Sequence, residues 1–137
     1  MNNIILYLKI SVAAIGAGLT WLFGGWSIAL IALLIFIVVD YLTGVIYAVF
    51  KKELSSEIGF KGLLKKVMIL AVLAVAALLD KLLGLEGYVC RTAVCYFYIA
   101  NEGISILENA AKLGVPVPDK IKSVLAQIKD MGGGKIE

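Results

Sequence analysis

Histidine is missing from this chain altogether. Without it, neither a Ser–His nor a Cys–His catalytic pair can be assembled. Cysteine is scarce. Cys90 and Cys95 stand five residues apart, a spacing that fits neither a CxxC redox pair nor a zinc knuckle, so both read as small packing residues. Asp40 and Glu102 are the carboxylates that an acid–base pair would need, but no phosphate loop, metal cluster or cofactor fingerprint accompanies them. The glycines at 132–134 lack the strand–turn–helix setting of a phosphate cradle. An enzyme is therefore not expected, and neither a metal nor a cofactor is. Charge is thin too, at 17% of the chain, and the net +3 bears on orientation in a membrane rather than on nucleic acid.

What the chain has is apolar surface. Of its 137 residues 61% are hydrophobic, and the mean hydropathy is +0.97. A soluble domain of this size has no interior large enough to hide that much, so the composition predicts an all-α integral membrane protein forming one compact unit. The N-terminus has no basic segment ahead of its apolar run, so a cleaved signal peptide is not expected.

Four apolar runs predict about four transmembrane helices, over 4–23, 26–50, 67–85 and 88–107. Lys9 interrupts the first and snorkels. Gly24-Gly25 turns the chain between Trp21 and Trp26, two aromatic residues suited to a membrane interface. The second run carries a single charge, Asp40. The third spans only by extending through Asp80 and Lys81. Residues 51–66 read as a connector outside the membrane, and Gly114, Pro116 and Pro118 stop the fourth helix. The connector and residues 108–137 hold five lysines each, whereas the turns at 24–25 and 84–87 hold none. The positive-inside bias then places both ends in the cytoplasm, with Lys51, Lys52, Lys61, Lys65 and Lys66 at the lipid heads. The chain divides into a membrane domain, 1–113, and a cytoplasmic tail, 114–137. In the tail Ile121, Val124, Leu125, Ile128 and Met131 make one apolar stripe beside Lys120, Lys122 and Lys129. Such an amphipathic helix suits the bilayer surface or a second copy of itself. The last six residues, GGGKIE, are expected to fray.

The fourth run is unlike the others. At about 100° per residue, Arg91, Cys95, Tyr98, Glu102, Ser105 and Asn109 fall within a sector of about 80°. That polar stripe needs water or protein beside it. Asp40 makes the same demand of the second run, where Thr43, Gly44 and Tyr47 share its face and let another helix approach. Two arrangements answer this. Either the stripe lies inside each monomer against Asp40, with Arg91 or Lys81 as counter-ion, or it lines a lumen or oligomer face made by many copies.

Three blocks carry a family resemblance: DYLTGVIYA at 40–48, SSEIGFKGLLKK at 55–66, and NEGISILENAAKLGVPVP at 101–118. Together they resemble the phage-lysis and toxin-secretion holin family of Gram-positive bacteria and their phages, over roughly residues 26–125. The third block is the most specific. The shared features are Asp40, Thr43, Gly44, Lys61, Gly62, Lys66, Asn101, Glu102, Ser105, Glu108, Asn109, Gly114 and Pro118. The resemblance implies a multi-pass protein of the bacterial cytoplasmic membrane that accumulates harmlessly and then oligomerises abruptly into lesions. Those lesions would release a cell-wall hydrolase (endolysin) or a toxin, and an antiholin is a further implied partner. The rival readings are a small channel or transporter subunit, and a membrane scaffold or antiholin acting through the 119–131 helix.

Overall fold

A computed structural model describes residues 1–132, and the expected fraying of the last residues falls outside them for 133–137. Among the described residues the chain is all helical: α1 (Asn2–Leu22), α2 (Ile28–Phe50), α3 (Ser56–Leu82), α4 (Val89–Lys112) and α5 (Asp119–Met131), with a short tight turn at Glu86–Tyr88. Three of these, α1, α2 and α3, are long and apolar enough to cross a membrane.

Local chemistry explains the boundaries. Ser27 opens α2 by accepting from the Leu30 N–H at 3.1 Å, and Ser55 opens α3 by accepting from Ile58 at 3.2 Å. At the end of α4, Gly114 adopts φ +86°. This lets the Val115 N–H reach the Ala110 carbonyl at 3.0 Å while Gly114 bonds Ala111 at 3.0 Å, a closure that satisfies two orphan carbonyls. The prolines that follow prevent any continuation.

One boundary differs from that expected. The Lys-rich connector is only residues 51–55, because residues 56–66 form the first three turns of α3. Their lysines had made them look like loop, but a charged face is compatible with helix when the other face is covered. The Tyr41 hydroxyl of α2 donates to the Gly59 carbonyl at 3.3 Å, and Gly59 and Gly62 leave room for the Tyr41 ring. The third helix does run through Asp80 and Lys81, as the apolar pattern required.

α4 is the central helix, lying against α2, α3 and α5. It runs parallel to α2 along its length, with Arg91 beside residues 23–25 at one end and Asn109 beside Thr43 at the other. A core of Leu30, Leu33, Ile37, Ile69, Leu73, Cys95 and Ile99 joins α2, α3 and α4. The tail helix departs from expectation. It turns back antiparallel onto α4, burying Leu125 beside Gly103 and Phe36 and half-burying Ile128, while Ile121, Val124 and Met131 of the stripe stay exposed. The closeness is marked, since a Cβ on Gly103 would sit 2.8 Å from a Leu125 methyl. The tail is therefore packed on the membrane domain rather than standing apart from it.

Candidate functional site: a polar network across three helices

The α4 stripe faces inward. Mid-bundle, Lys66 Nζ bridges the carboxylates of Asp40 and Glu102, joining α3 to α2 and α4 in one contact. All three groups are well shielded, with 15% of the Lys66 side chain and 9% of each carboxylate side chain exposed. One turn and more toward the Lys-rich end, Asn109 Nδ2 donates to Thr43 Oγ1 at 3.0 Å and to Asp40 Oδ1 at 3.4 Å. Gly44 lies beside this contact, and a Cβ there would meet Asn109 Nδ2 at an ordinary 3.8 Å. A cleft of about 590 Å³ reaches this network, bordered by Asp40, Lys66, Ser105, Asn109, Lys65 and Lys112.

Two carboxylates against one ammonium leave one excess negative charge when all are ionised. A charge held at this depth in hydrocarbon is costly, so the network must keep its members paired with one another or wet. Polar side chains on three helices make that pairing. The same groups that tie the bundle together are therefore able to exchange partners if the helices rotate or separate.

The counter-ion is not the one expected. Arg91 and Lys81 both lie at the opposite end, by the turns, and Lys66 takes the role. Lys66 had been grouped with the head-group lysines. Its neighbours Lys51, Lys52, Lys61 and Lys65 are exposed, while Lys66 is turned into the bundle. Its position beside Lys65 gave no sign of this, because the partners lie 26 and 36 residues away.

At the turn end a second polar cluster forms, and sequence reasoning missed its main member. Asp80 is 1% exposed and accepts from the Cys90 and Arg91 backbone N–H groups, both at 2.8 Å. It caps the start of α4 from another helix. Arg91 Nη1 donates to the carbonyls of Phe23, Gly24 and Gly25 at 2.8, 2.8 and 3.2 Å, closing the end of α1. Lys81 donates to the Trp21 carbonyl and lies 3.9 Å over its ring. An Asp in the last turn of an apolar helix, nine residues before α4 begins, was the available signal.

The remaining stripe residues are not all in the network. Cys95 is fully buried in the core. Tyr98 is half-buried and meets Phe97 edge-to-face at 5.1 Å. Ser105 borders the cleft. Tyr47 lies outside the network with the Lys112 ammonium 5.2 Å from its ring centre.

Comparison with known proteins gives a consistent answer. The model of a family described as the bacteriophage holin family matches residues 17–130. The chain is 54% identical to an uncharacterised 14.9 kDa protein of Clostridium perfringens, covering 95% of this chain and 98% of that one. It is 42% identical to an uncharacterised protein of Listeria monocytogenes, over 86% and 84% of the two chains. A probable holin of Bacillus phage phi105 is 39% identical over 77% of each chain. No solved structure matches. With the family model and these relatives spanning most of its length, the chain belongs to the bacteriophage holin family.

Proposed function

We propose that this protein acts as a holin: it accumulates in the bacterial cytoplasmic membrane, oligomerises, and opens lesions that let a cell-wall hydrolase or a toxin out. One observation carries the reading, the Asp40–Lys66–Glu102 network. It is paired within one chain, yet built only from side chains on three separate helices. In the resting protein these charges are hidden and the molecule is harmless to the barrier. When copies crowd, helix contacts in lipid compete with the network, because association there rests on packing and polar contacts rather than on apolar burial. The stripe of Arg91, Cys95, Tyr98, Glu102, Ser105 and Asn109 then passes from partners within the chain to water and to other copies.

The proposed topology is four crossings with both ends in the cytoplasm. What supports a crossing by α4 is its position: it lies along α2, which is 23 residues long and apolar enough to cross. Its own polarity is tolerable because α2, α3 and α5 surround it. Lys51, Lys52, Lys61 and Lys65 would then meet anionic lipid heads on the cytoplasmic side. The cleft beside Asp40 favours a second reading, a channel or carrier for a small solute.

The test is induction in bacteria beside a hydrolase that has no export signal of its own. A holin halts growth abruptly after a lag, collapses the membrane potential and lets the hydrolase reach the wall. A solute carrier would leave the folded hydrolase inside. Cells that keep their membrane potential at high expression would end the proposal.

A further inference from the structure

The two terminal helices form separate flanks of the molecule. At backbone contact distance, among the described residues, α1 touches α3 and α5 touches α4, and the two never meet. They differ in chemistry as much as in place. α1 has no buried residue and is apolar on nearly every side, with Ile4, Val12, Ile15 and Trp21 all more than half exposed. Acyl chains suit such a flank. α5 buries Leu125 and half-buries Ile128 of its apolar stripe, and leaves Ile121, Val124 and Met131 exposed along the edge of that stripe. It turns outward Lys120, Lys122, Ser123, Ala126, Gln127 and Asp130, all exposed.

The depth of α5 makes that outward face a problem for lipid. Leu125 lies against Gly103 and Phe36, near the middle of α4 and well inside α2. Gly132 abuts the backbone at Ala93 and Phe97, farther toward the turn end. So α5 runs beside α4 through much of the thickness that α2 crosses, and Asp130 comes near mid-depth. An ionised side chain at that depth costs at least about 2.5–3.5 kcal/mol in hydrocarbon, and Asp130 has no ion-pair partner among the described residues. The face must be wet.

We infer that the outward face of α5 is the wall of an aqueous lumen shared by several copies of this chain, with α1 on the lipid side of the ring. This rests on the proposed holin function and assigns the lesion wall to a helix that the sequence places in a cytosolic tail. One copy offers a single short polar face and cannot enclose a channel. A slab with a lipid-seeking and a water-seeking flank closes naturally into a ring when repeated head to tail around an axis. The α4 stripe need not be bare for such a lumen to exist, since α5 alone supplies its first polar surface.

The test uses the full-length chain in vesicles of phosphatidylcholine and phosphatidylglycerol holding an entrapped folded enzyme. Nitroxides are placed singly at Ser123, Ala126 and Val12 through cysteine substitution, in a background with Cys90→Ala and Cys95→Ala. Collision with a water-soluble nickel chelate should exceed collision with oxygen at Ser123 and Ala126, and the order should reverse at Val12. A second chain, Ala126→Cys with Cys95→Ala, pairs the new label with one on native Cys90. If α5 stays on α4, the two labels lie about 20 Å apart, whereas a tail released to the cytosolic surface puts them more than about 30 Å apart. Oxygen-dominated collision at Ser123 and Ala126, or the long distance in vesicles that release the enzyme, overturns the α5 wall and leaves the holin reading standing. Failure to release the enzyme overturns the holin reading, and the lumen falls with it even if the face is wet. Should Ala126→Cys fail to insert, Ser123→Cys carries both measurements.

Discussion

The bundle holds two polar clusters, and they are satisfied in different ways. At the turn end, Asp80 takes backbone N–H groups and Arg91 gives to backbone carbonyls. Mid-bundle, Lys66, Asp40, Glu102, Asn109 and Thr43 join three helices through side-chain contacts, and the one backbone partner, the Asp40 carbonyl that accepts from the Thr43 hydroxyl at 3.0 Å, lies within α2. Backbone partners at helix ends are fixed as long as the helices exist, so the turn cluster acts as a staple. Side-chain partners on three helices last only as long as those helices keep their register. The first cluster holds the hairpins together, and the second has the construction of something that opens.

The sharpest way to break this contrast is Lys66→Met. Two buried carboxylates lose the one cation that pairs them among the described residues, and truncating one partner of a buried ion pair typically costs about 3–5 kcal/mol. The variant should accumulate poorly in membranes and melt earlier in detergent. Restoring neutrality with Asp40→Asn and Glu102→Gln should recover most of the loss. If the triple variant melts no higher than Lys66→Met alone, the ammonium matters for packing and not for charge. Asp80→Ala comes next. It leaves the Cys90 and Arg91 N–H groups without their cap at a site closed to water, at a cost of about 2 kcal/mol. Its unfolding midpoint in detergent should fall, while the molecules that do fold should release hydrolase at an unchanged time per copy.

Glu102→Leu should do the reverse. Removing one carboxylate leaves Asp40 and Lys66 as a neutral pair, so the resting bundle loses its excess charge and stability changes by less than about 1 kcal/mol. A resting state made more comfortable is harder to leave. Lysis after induction should be delayed or abolished although insertion and level match the parent, and Asn109→Leu should act the same way more weakly through its lost 3.0 Å bond to Thr43. Wild-type timing in both variants at matched levels would remove the mid-bundle network from the opening step.

The sequence made some of this legible and hid the rest for a physical reason. Helix periodicity is local, so α2 and the one-sided stripe on α4 could be read from spacing alone. So could the stop at Gly114 and the amphipathic character of residues 119–131. What a face meets is not local. Lys66 sits among other lysines, and only the fold carries Asp40 and Glu102 to it. Asp80 looked like a charge waiting near a helix end, but its partners belong to the next helix. The stripe on α5 announced a surface to be covered, and α4 covers its centre at Leu125, because Gly103 leaves a hollow there, while Ile121, Val124 and Met131 stay exposed. Residues 56–66 were read as loop because lysine frequency outweighed the small faces of Gly59 and Gly62 that admit Tyr41.

The smallest expected effect separates the two clusters most finely. Arginine and lysine are seldom interchangeable where a guanidinium grips two acceptors in its fork. Arg91 does not use the fork: one nitrogen, Nη1, gives all three of its hydrogen bonds, and Nε is buried without a partner. A lysine ammonium offers three donors from one nitrogen where Nη1 shares two among three carbonyls, can lie over the Tyr88 ring that Arg91 now covers at 4.2 Å, and brings no orphaned Nε–H. Arg91→Lys should therefore cost no more than about 1 kcal/mol, the shorter reach of lysine offsetting the relief of Nε. Lys66→Arg, the same exchange reversed, should cost more, because the wider guanidinium must fit where a compact ammonium now touches both carboxylates. Melting the two variants side by side in detergent tests the ordering. If Arg91→Lys proves the more damaging, the turn cluster depends on guanidinium shape, and the backbone carbonyls are not the indifferent acceptors that a fixed staple requires.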